Sequence, residues 1–435
     1  MRRLRLALLA TCVAGASLAS LALASCGGGG GGPGEKSFDL VIGDSLPLTG
    51  QLADFGPPGQ KAAEIAVDQI NAAIKKDNLD QTVKLLNEDN ETTPQAAVSV
   101  ARKMADEGAS CIAGAWASTD TIPTARSVAI PEGILEISPS STSSEITDLD
   151  DNGLVNRTPP ADNLQGAALA ELVKRELGGA KGKVVSVAGR NDSYGDGLTG
   201  SFIENWEGRG GEVAGGKALL YDPNAATYDS EADQIVSENP DAYVIVDFPE
   251  PFDPKVDSAL QRTGKWDPAK TFITDGLASS DVAANPDLEG LRGTAPGTPE
   301  VGEASTAFDK LFTSSPPKDV TRQTFDGQNF DAVILCYLAA VAAGSTDGQD
   351  MADELQDVTA PPGTKYTWEQ LPEAVKALQD GDDIDYIGAS GDINLDDNGD
   401  PTVGVYDEFE FKGGEITPIG KQIPLPSIKE VTGEE

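Results

Sequence analysis

Short apolar, strand-like runs alternate with amphipathic helical stretches in two successive cycles. No other feature of this sequence narrows the fold as much. In the first cycle, strands are expected at 38–42, 83–86, 110–113 and 134–137. Between them, Pro57-Pro58 opens a helix with Ala62, Ile65, Ala66 and Ile70 on one stripe. Thr93-Pro94 opens a second helix that Gly108 stops, and 118–129 reads as a third. After a short strand at 154–156 the rhythm restarts, with Asp162 as the expected cap of a helix carrying Leu169, Leu172, Val173 and Leu177. Strands follow at 183–188, 213–219, 242–246 and 271–274, with helices at 195–206, 228–237 and 254–263. An apolar helix at 331–343, a helix at 367–379 and a β-rich tail from 403 complete the pattern. Alternation of this kind predicts an α/β fold of two doubly wound parallel-sheet lobes.

The first residues follow a different logic. Arg2, Arg3 and Arg5 precede an apolar run rich in Leu and Ala that ends in Leu23-Ala24-Ser25-Cys26. A charged start, a hydrophobic middle and a small-residue end predict an export signal over 1–25. The tetrapeptide resembles the lipobox of bacterial lipoproteins, which implies cleavage before Cys26 and a lipid on its thiol. Residues 26–37, with six consecutive glycines, read as a flexible tether. The expected location is extracytoplasmic, lipid-anchored to the cell membrane. The alternatives are an ordinary cleaved signal and a membrane-spanning helix.

Composition removes several chemistries. The net charge is -39, which repels nucleic acid and anionic lipid surfaces. There is no histidine, so imidazole bases, Ser-His-Asp triads and histidine metal ligands are excluded. No metal or other cofactor is expected. Beyond the signal and Cys26, only Cys111 and Cys336 remain, each in an apolar run; they read either as one disulfide or as two buried thiols.

Ligands of doubly wound sheets bind at the carboxyl ends of the strands, so strand exits carry the argument. Strand 110–113 runs through Trp116 into a helix whose first amides, with the hydroxyls of Ser118 and Thr119, suit a carboxylate; plain N-capping by Ser118 is the alternative. Strand 134–137 exits into a hydroxyl-rich run containing Ser140 and Thr142. In the second cycle the exits carry Tyr194, Phe248 and Asp275: rings to cover an apolar or cationic group, and an acid to meet an ammonium. Asp275-Gly276 also reads as an ordinary turn. Together the two sets suit a zwitterion.

Pro47-Leu48-Thr49-Gly50, Asp54-Phe55-Gly56, the stretch 114–118, Ile137-Ser138-Pro139-Ser140-Ser141-Thr142-Ser143 and Tyr194-Gly195 occur in that order. In order and spacing they resemble the branched-chain amino acid (Leu/Ile/Val) binding proteins, type I periplasmic binding proteins that feed ABC importers. The resemblance spans 38 to about 420. It implies two lobes joined by three crossovers, with 38–157 and 298–385 in lobe 1 and 158–297 and 386–435 in lobe 2. It also implies an amino acid or related small polar solute as ligand, ABC permease subunits as partners, and no enzymatic activity. Carried over by motif, Ser118, Ser140 and Thr142 hold the ligand carboxylate. Tyr194 and Asp275 hold its ammonium, Phe55 and Trp116 line the side-chain pocket, and Phe248 forms the far wall. Two departures stand out: Trp116-Ala117 where a further hydroxyl run is usual, and Asp275 where a longer acid is typical. A ligand-sensing receptor subunit is the nearest alternative, and a carboxylate-pair glycoside hydrolase a more distant one. The acidic run 392–400 lacks the glycine and acid positions of a calcium loop and reads as a turn.

Overall fold

The computed structural model describes residues 37–299 and 303–425. The expected export signal, Cys26 and nearly all of the tether lie outside the described residues.

Five strands build the first sheet: β1 (Phe38–Leu46), β2 (Gln81–Asp89), β3 (Cys111–Ala113), β4 (Leu135–Ser138) and β5 (Val155–Arg157). Their order is β2-β1-β3-β4-β5, and all four neighbouring pairs are parallel. Helices α1 (Gly56–Asp77), α2 (Pro94–Asp106) and α3 (Ser118–Thr124) return the chain between strands. The expected stripe of α1 is buried, and the helix ends at Asn78, whose left-handed conformation lets its N–H reach the Ile74 carbonyl.

Then α4 (Asp162–Glu176) leads into the second sheet: β6 (Val184–Arg190), β7 (Glu212–Val213), β8 (Leu219–Tyr221), β9 (Ala242–Val246), β10 (Thr271–Ile273) and β11 (Arg292–Gly297). Here β7 and β8 flank β6 on one side, and β9, β10 and β11 follow on the other, all parallel. Helix α5 (Ser193–Gly208) follows β6. The first sheet's order is thus repeated, so each lobe has a switch point where ligands of such sheets bind.

Three local expectations are corrected. The single strand expected at 213–219 is two short ones, because Gly215 and Gly216 both take positive φ between them. Asp162 does not cap α4; Ala161 holds the cap position and Asp162 is the first helical residue. The apolar helix begins earlier than 331, as α6 (Asp326–Ala343).

Helix α6 is buried from Asp326 through Val341, the pattern of a helix enclosed on all sides. It packs with α1 on the first sheet, against Leu40, Ile42, Leu135 and Ile137. Cys336 of α6 is disulfide-bonded to Cys111 of β3, which ties this late helix to the first sheet. The chain then adds β12 (Thr364–Thr367), β13 (Ile384–Gly388) and β14 (Gly391–Asp392) as a small separate sheet. Finally β15 (Val405–Lys412) crosses to the second sheet, antiparallel to β11, and β16 (Glu415–Pro418) pairs with it.

The chain passes between the sheets beside a buried knot. Arg157, at the end of β5, is fully buried; its Nε donates to Asp400 Oδ1 at 2.6 Å. Its Nη2 donates to Thr147 Oγ1 (2.6 Å) and its Nη1 to the Ser143 carbonyl (2.8 Å). The backbone N–H of Arg157 donates to the Gly399 carbonyl. Asp396 Oδ1 accepts from the N–H groups of Asn398 and Asp400, so the acidic run is the expected turn and presents Asp400 to the arginine.

Candidate ligand-binding site

A narrow cavity of about 10 Å³ lies where the strand exits of both sheets meet. The first lobe contributes Leu52 and Phe55 from the loop after β1, Trp116, Ala117 and Ser118 after β3, and Ser140 after β4. From the second come Tyr194 after β6, Phe248 after β9, and Asp275 with Gly276 after β10. Phe325, just before α6, completes the lining. The structure therefore brings Phe55, Trp116, Ser118, Ser140, Tyr194, Phe248 and Asp275 together. Thr119 and Thr142 stand beside the cavity rather than in its lining. Leu52, Ala117, Gly276 and Phe325 are lining residues that sequence reasoning missed.

The hydroxyl run after β4 has a bracing role. Ser138 Oγ donates to the Ala115 carbonyl (2.6 Å), while Ser140 Oγ and Ser141 Oγ donate to the Trp116 carbonyl (3.0 and 2.9 Å). Thr121 Oγ1 also donates to Ala115 O. The 115–117 turn, with its indole, is thus held by hydroxyls from two neighbouring segments. Ser118 is not the N-cap of α3; Ala117 holds that position, and Ser118 Oγ accepts from Ser143 N at 3.2 Å. The Ser118 hydroxyl proton remains available to the cavity. Thr142 Oγ1 is buried and has no hydrogen-bond partner among the described residues.

At the opposite end stands a carboxylate held from behind. Tyr194 Oη donates to Asp275 Oδ1 (2.9 Å), and Gln165 Nε2 of α4 donates to the same oxygen (2.7 Å). Both bonds fall on Oδ1, and among the described residues no side chain donates to Oδ2. Burial pushes the Asp275 carboxyl up to about 6, against the pull of the Tyr194 and Gln165 hydrogen bonds. Behind it lies Asp162, fully buried, with neither carboxylate oxygen in a well-formed hydrogen bond among the described residues, though the Thr142 hydroxyl tempers its carboxyl. Burial raises its pKa well above the usual carboxylate range, and the charge of Asp275 adds to the rise. Among the described residues no lysine or arginine lines the cavity.

Gly276 makes this end possible. A Cβ there would lie 2.5 Å from the Asp247 carbonyl and 3.0 Å from both the Tyr194 hydroxyl and the Phe248 ring. Without it, Phe248 stacks on Tyr194 at 5.2 Å between centroids, with the Arg190 guanidinium over the Phe248 ring at 3.6 Å. Gly59 of α1 plays the same part for Trp116: a Cβ there would meet the indole at 2.4 Å. Phe325 reaches the cavity from a left-handed backbone, φ 72°.

The arrangement offers a short polar path: a serine hydroxyl at one end, a buried carboxylate at the other, and apolar rings between. It suits a small molecule with an anionic end, a cationic end and an apolar body.

Comparison with known proteins agrees with this geometry. Residues 40–370 match the family model for periplasmic binding proteins. The Leu/Ile/Val-binding protein homolog 1 of Brucella abortus is 26% identical over 384 residues, covering 86% of this chain and 91% of that protein. Among solved structures, a leucine binding protein from Thermotoga maritima superposes with a TM-score of 0.71 at 22% identity, covering 88% of this chain and 99% of that one. A branched-chain amino acid transporter substrate binding protein from Streptococcus pneumoniae, solved with isoleucine, gives 0.69 at 19% identity, covering 88% and 99%. At these identities the two structures speak for the fold.

Proposed function

The chain belongs to the periplasmic binding protein family, and from that premise we propose that it captures an amino acid between its lobes and delivers it to an ABC importer. The family places the folded part outside the cytoplasm. One observation carries the ligand reading: six residues expected at strand exits of two separate sheets, with Phe55 expected from the family motif, line a single cavity, Ser118 and Asp275 among them. In this reading Asp275 and Tyr194 receive the ammonium. Ser118, with Ser140 and Thr142 beside it, receives the carboxylate, and Phe55, Trp116 and Phe248 enclose the side chain. The names of the relatives support an apolar, branched-chain side chain. Family and fold are those of substrate-binding proteins, and we assign the chain no reaction. We assign Cys26 the lipid, and the tether the spacing from the membrane.

Isothermal titration against the twenty amino acids and small amides tests this. One-to-one binding of at least one amino acid is expected. Absence of heat and of thermal shift with all of them would overturn the proposal. For the anchor, mass spectrometry of the membrane-extracted protein should find an acylated Cys26 at its start, and C26S should appear in the soluble fraction.

A further inference from the structure

The two lobes stand closed on each other. Ser143 Oγ of the first donates to the Ser193 carbonyl of the second (3.0 Å), and Ser279 Oγ donates to Asp54 Oδ2 (2.5 Å). At the rim, Gln51 Nε2 donates to Asn224 Oδ1 (3.2 Å). Closure also sets acid near acid at several places.

Asp120, in the first turn of α3, is fully buried; its Oδ2 has no hydrogen-bond partner among the described residues, and the Thr119 hydroxyl reaches its other oxygen at 3.5 Å. Facing it from the second lobe are Arg190, at the end of β6, and Asp192. Arg190 is already committed: its Nε donates to Asp192 Oδ2, and its Nη1 lies 3.7 Å from Asp247 Oδ1. Closing therefore brings another carboxyl, stripped of water, to a cation that already has two. Asp54 faces two acids of the second lobe, Asp253 and Asp281, offset by the hydrogen bond from the Ser279 hydroxyl. Within the second lobe, the charge of Asp275 adds to the burial that raises Asp162, and Arg157 opposes it.

We propose that shutting the cleft takes up protons, with Asp120 the principal acceptor, so that acid favours the closed form and rising pH opens it. The proposal rests on the reading of this chain as a hinged binder. The carboxyl values agree in direction. Burial pushes Asp120 up to about 7 although Arg190 pulls it down, and burial raises Asp54 although Ser279 opposes it. On this proposal an open cleft returns these acids to water and to their ordinary range. A carboxyl that binds its proton more tightly when closed favours closure fully below its ordinary value. That favour is lost as pH climbs toward about 7, the closed value of Asp120.

The test is a cross-lobe trap in the full chain. Q51C/N224C places two thiols where a side-chain hydrogen bond now spans the rim. The rate of disulfide trapping, without ligand, follows the closed population, and Q51C alone is the control. Each rate is divided by that of the same trap carrying D120N at the same pH, so thiol ionisation cancels. The ratio is expected to fall about tenfold or more from about pH 5.5 to pH 8. A ratio that stays flat overturns the proposal. If D120N does not fold, D54N at the half-buried rim replaces it; a fall of a few-fold supports the proposal and a flat ratio overturns it. A parallel run with L-leucine separates the two readings. If leucine leaves trapping unchanged, the amino-acid reading loses support while the ratio still judges proton uptake.

Discussion

Asp275 is placed against its own stability. Its carboxyl is held near 6 by burial, about two units above its ordinary 3.8, and the residue is only 2% exposed. A raised acid stabilises the fold below its unfolded value, and that contribution is lost as pH rises from about 4 to 6. At pH 7 the ionised group costs on the order of 3 kcal/mol. D275N is therefore expected to raise the melting temperature at pH 7 by a few degrees, with the gain vanishing below about pH 4. The same change should weaken amino-acid binding by about 100-fold, because a buried charge partner is removed. Scanning calorimetry and titration on one protein check both halves. Gly276 supplies a second case: G276A should push Tyr194 and Phe248 apart and lower affinity about tenfold while the protein still folds. Most of the lining was legible residue by residue because strand exits converge in this fold. Phe325 was not, since nothing in its neighbours announces a left-handed aromatic. Thr119, next to Ser118 in the sequence, is not among the lining residues.

Elements read well where period and boundary residues agreed. The stripe of α1 and the run of β9 match the expectations because apolar spacing and Pro or Asp boundaries coincide. Strand β11 escaped notice: Arg292–Gly297 is arginine followed by small residues and a proline, with no alternation, and it forms only because β10 and β15 flank it. The partners of Cys111 were equally hidden, since sequence gives no distance between β3 and α6. That bond closes a separation of 225 residues, for which chain entropy alone gives an upper value of about 5 kcal/mol. C111A/C336A should lose about 2–5 kcal/mol in urea unfolding and retain ligand affinity, because the bond lies in the first lobe's core and not in the cavity lining.

The whole molecule is an acid surface around a closed cleft. With a net charge of -39, self-repulsion opposes compaction, and added salt screens it within about 10 Å at 0.1 M. The melting temperature should rise as sodium chloride goes from about 0.01 to 1 M, readable by dye fluorescence. A flat or falling profile would mean that local pairs such as Arg175–Glu408 outweigh the overall charge. The two-lobe plan was legible because the strand–helix rhythm repeats. The course of the chain between lobes was not, because it depends on contacts such as that of Arg157 with Asp400, 243 positions apart.

That arginine also fixes how the molecule bends. It holds the carbonyls of the serine loop with the same guanidinium that grips the returning strand's turn. The first lobe's ligand-facing loop is thereby tied to the Asp400 turn, and it is expected to keep one shape whether the jaws gape or meet. Any adjustment to a differently shaped guest is then expected in the opposite jaw, whose rings and acid make no bond to that arginine.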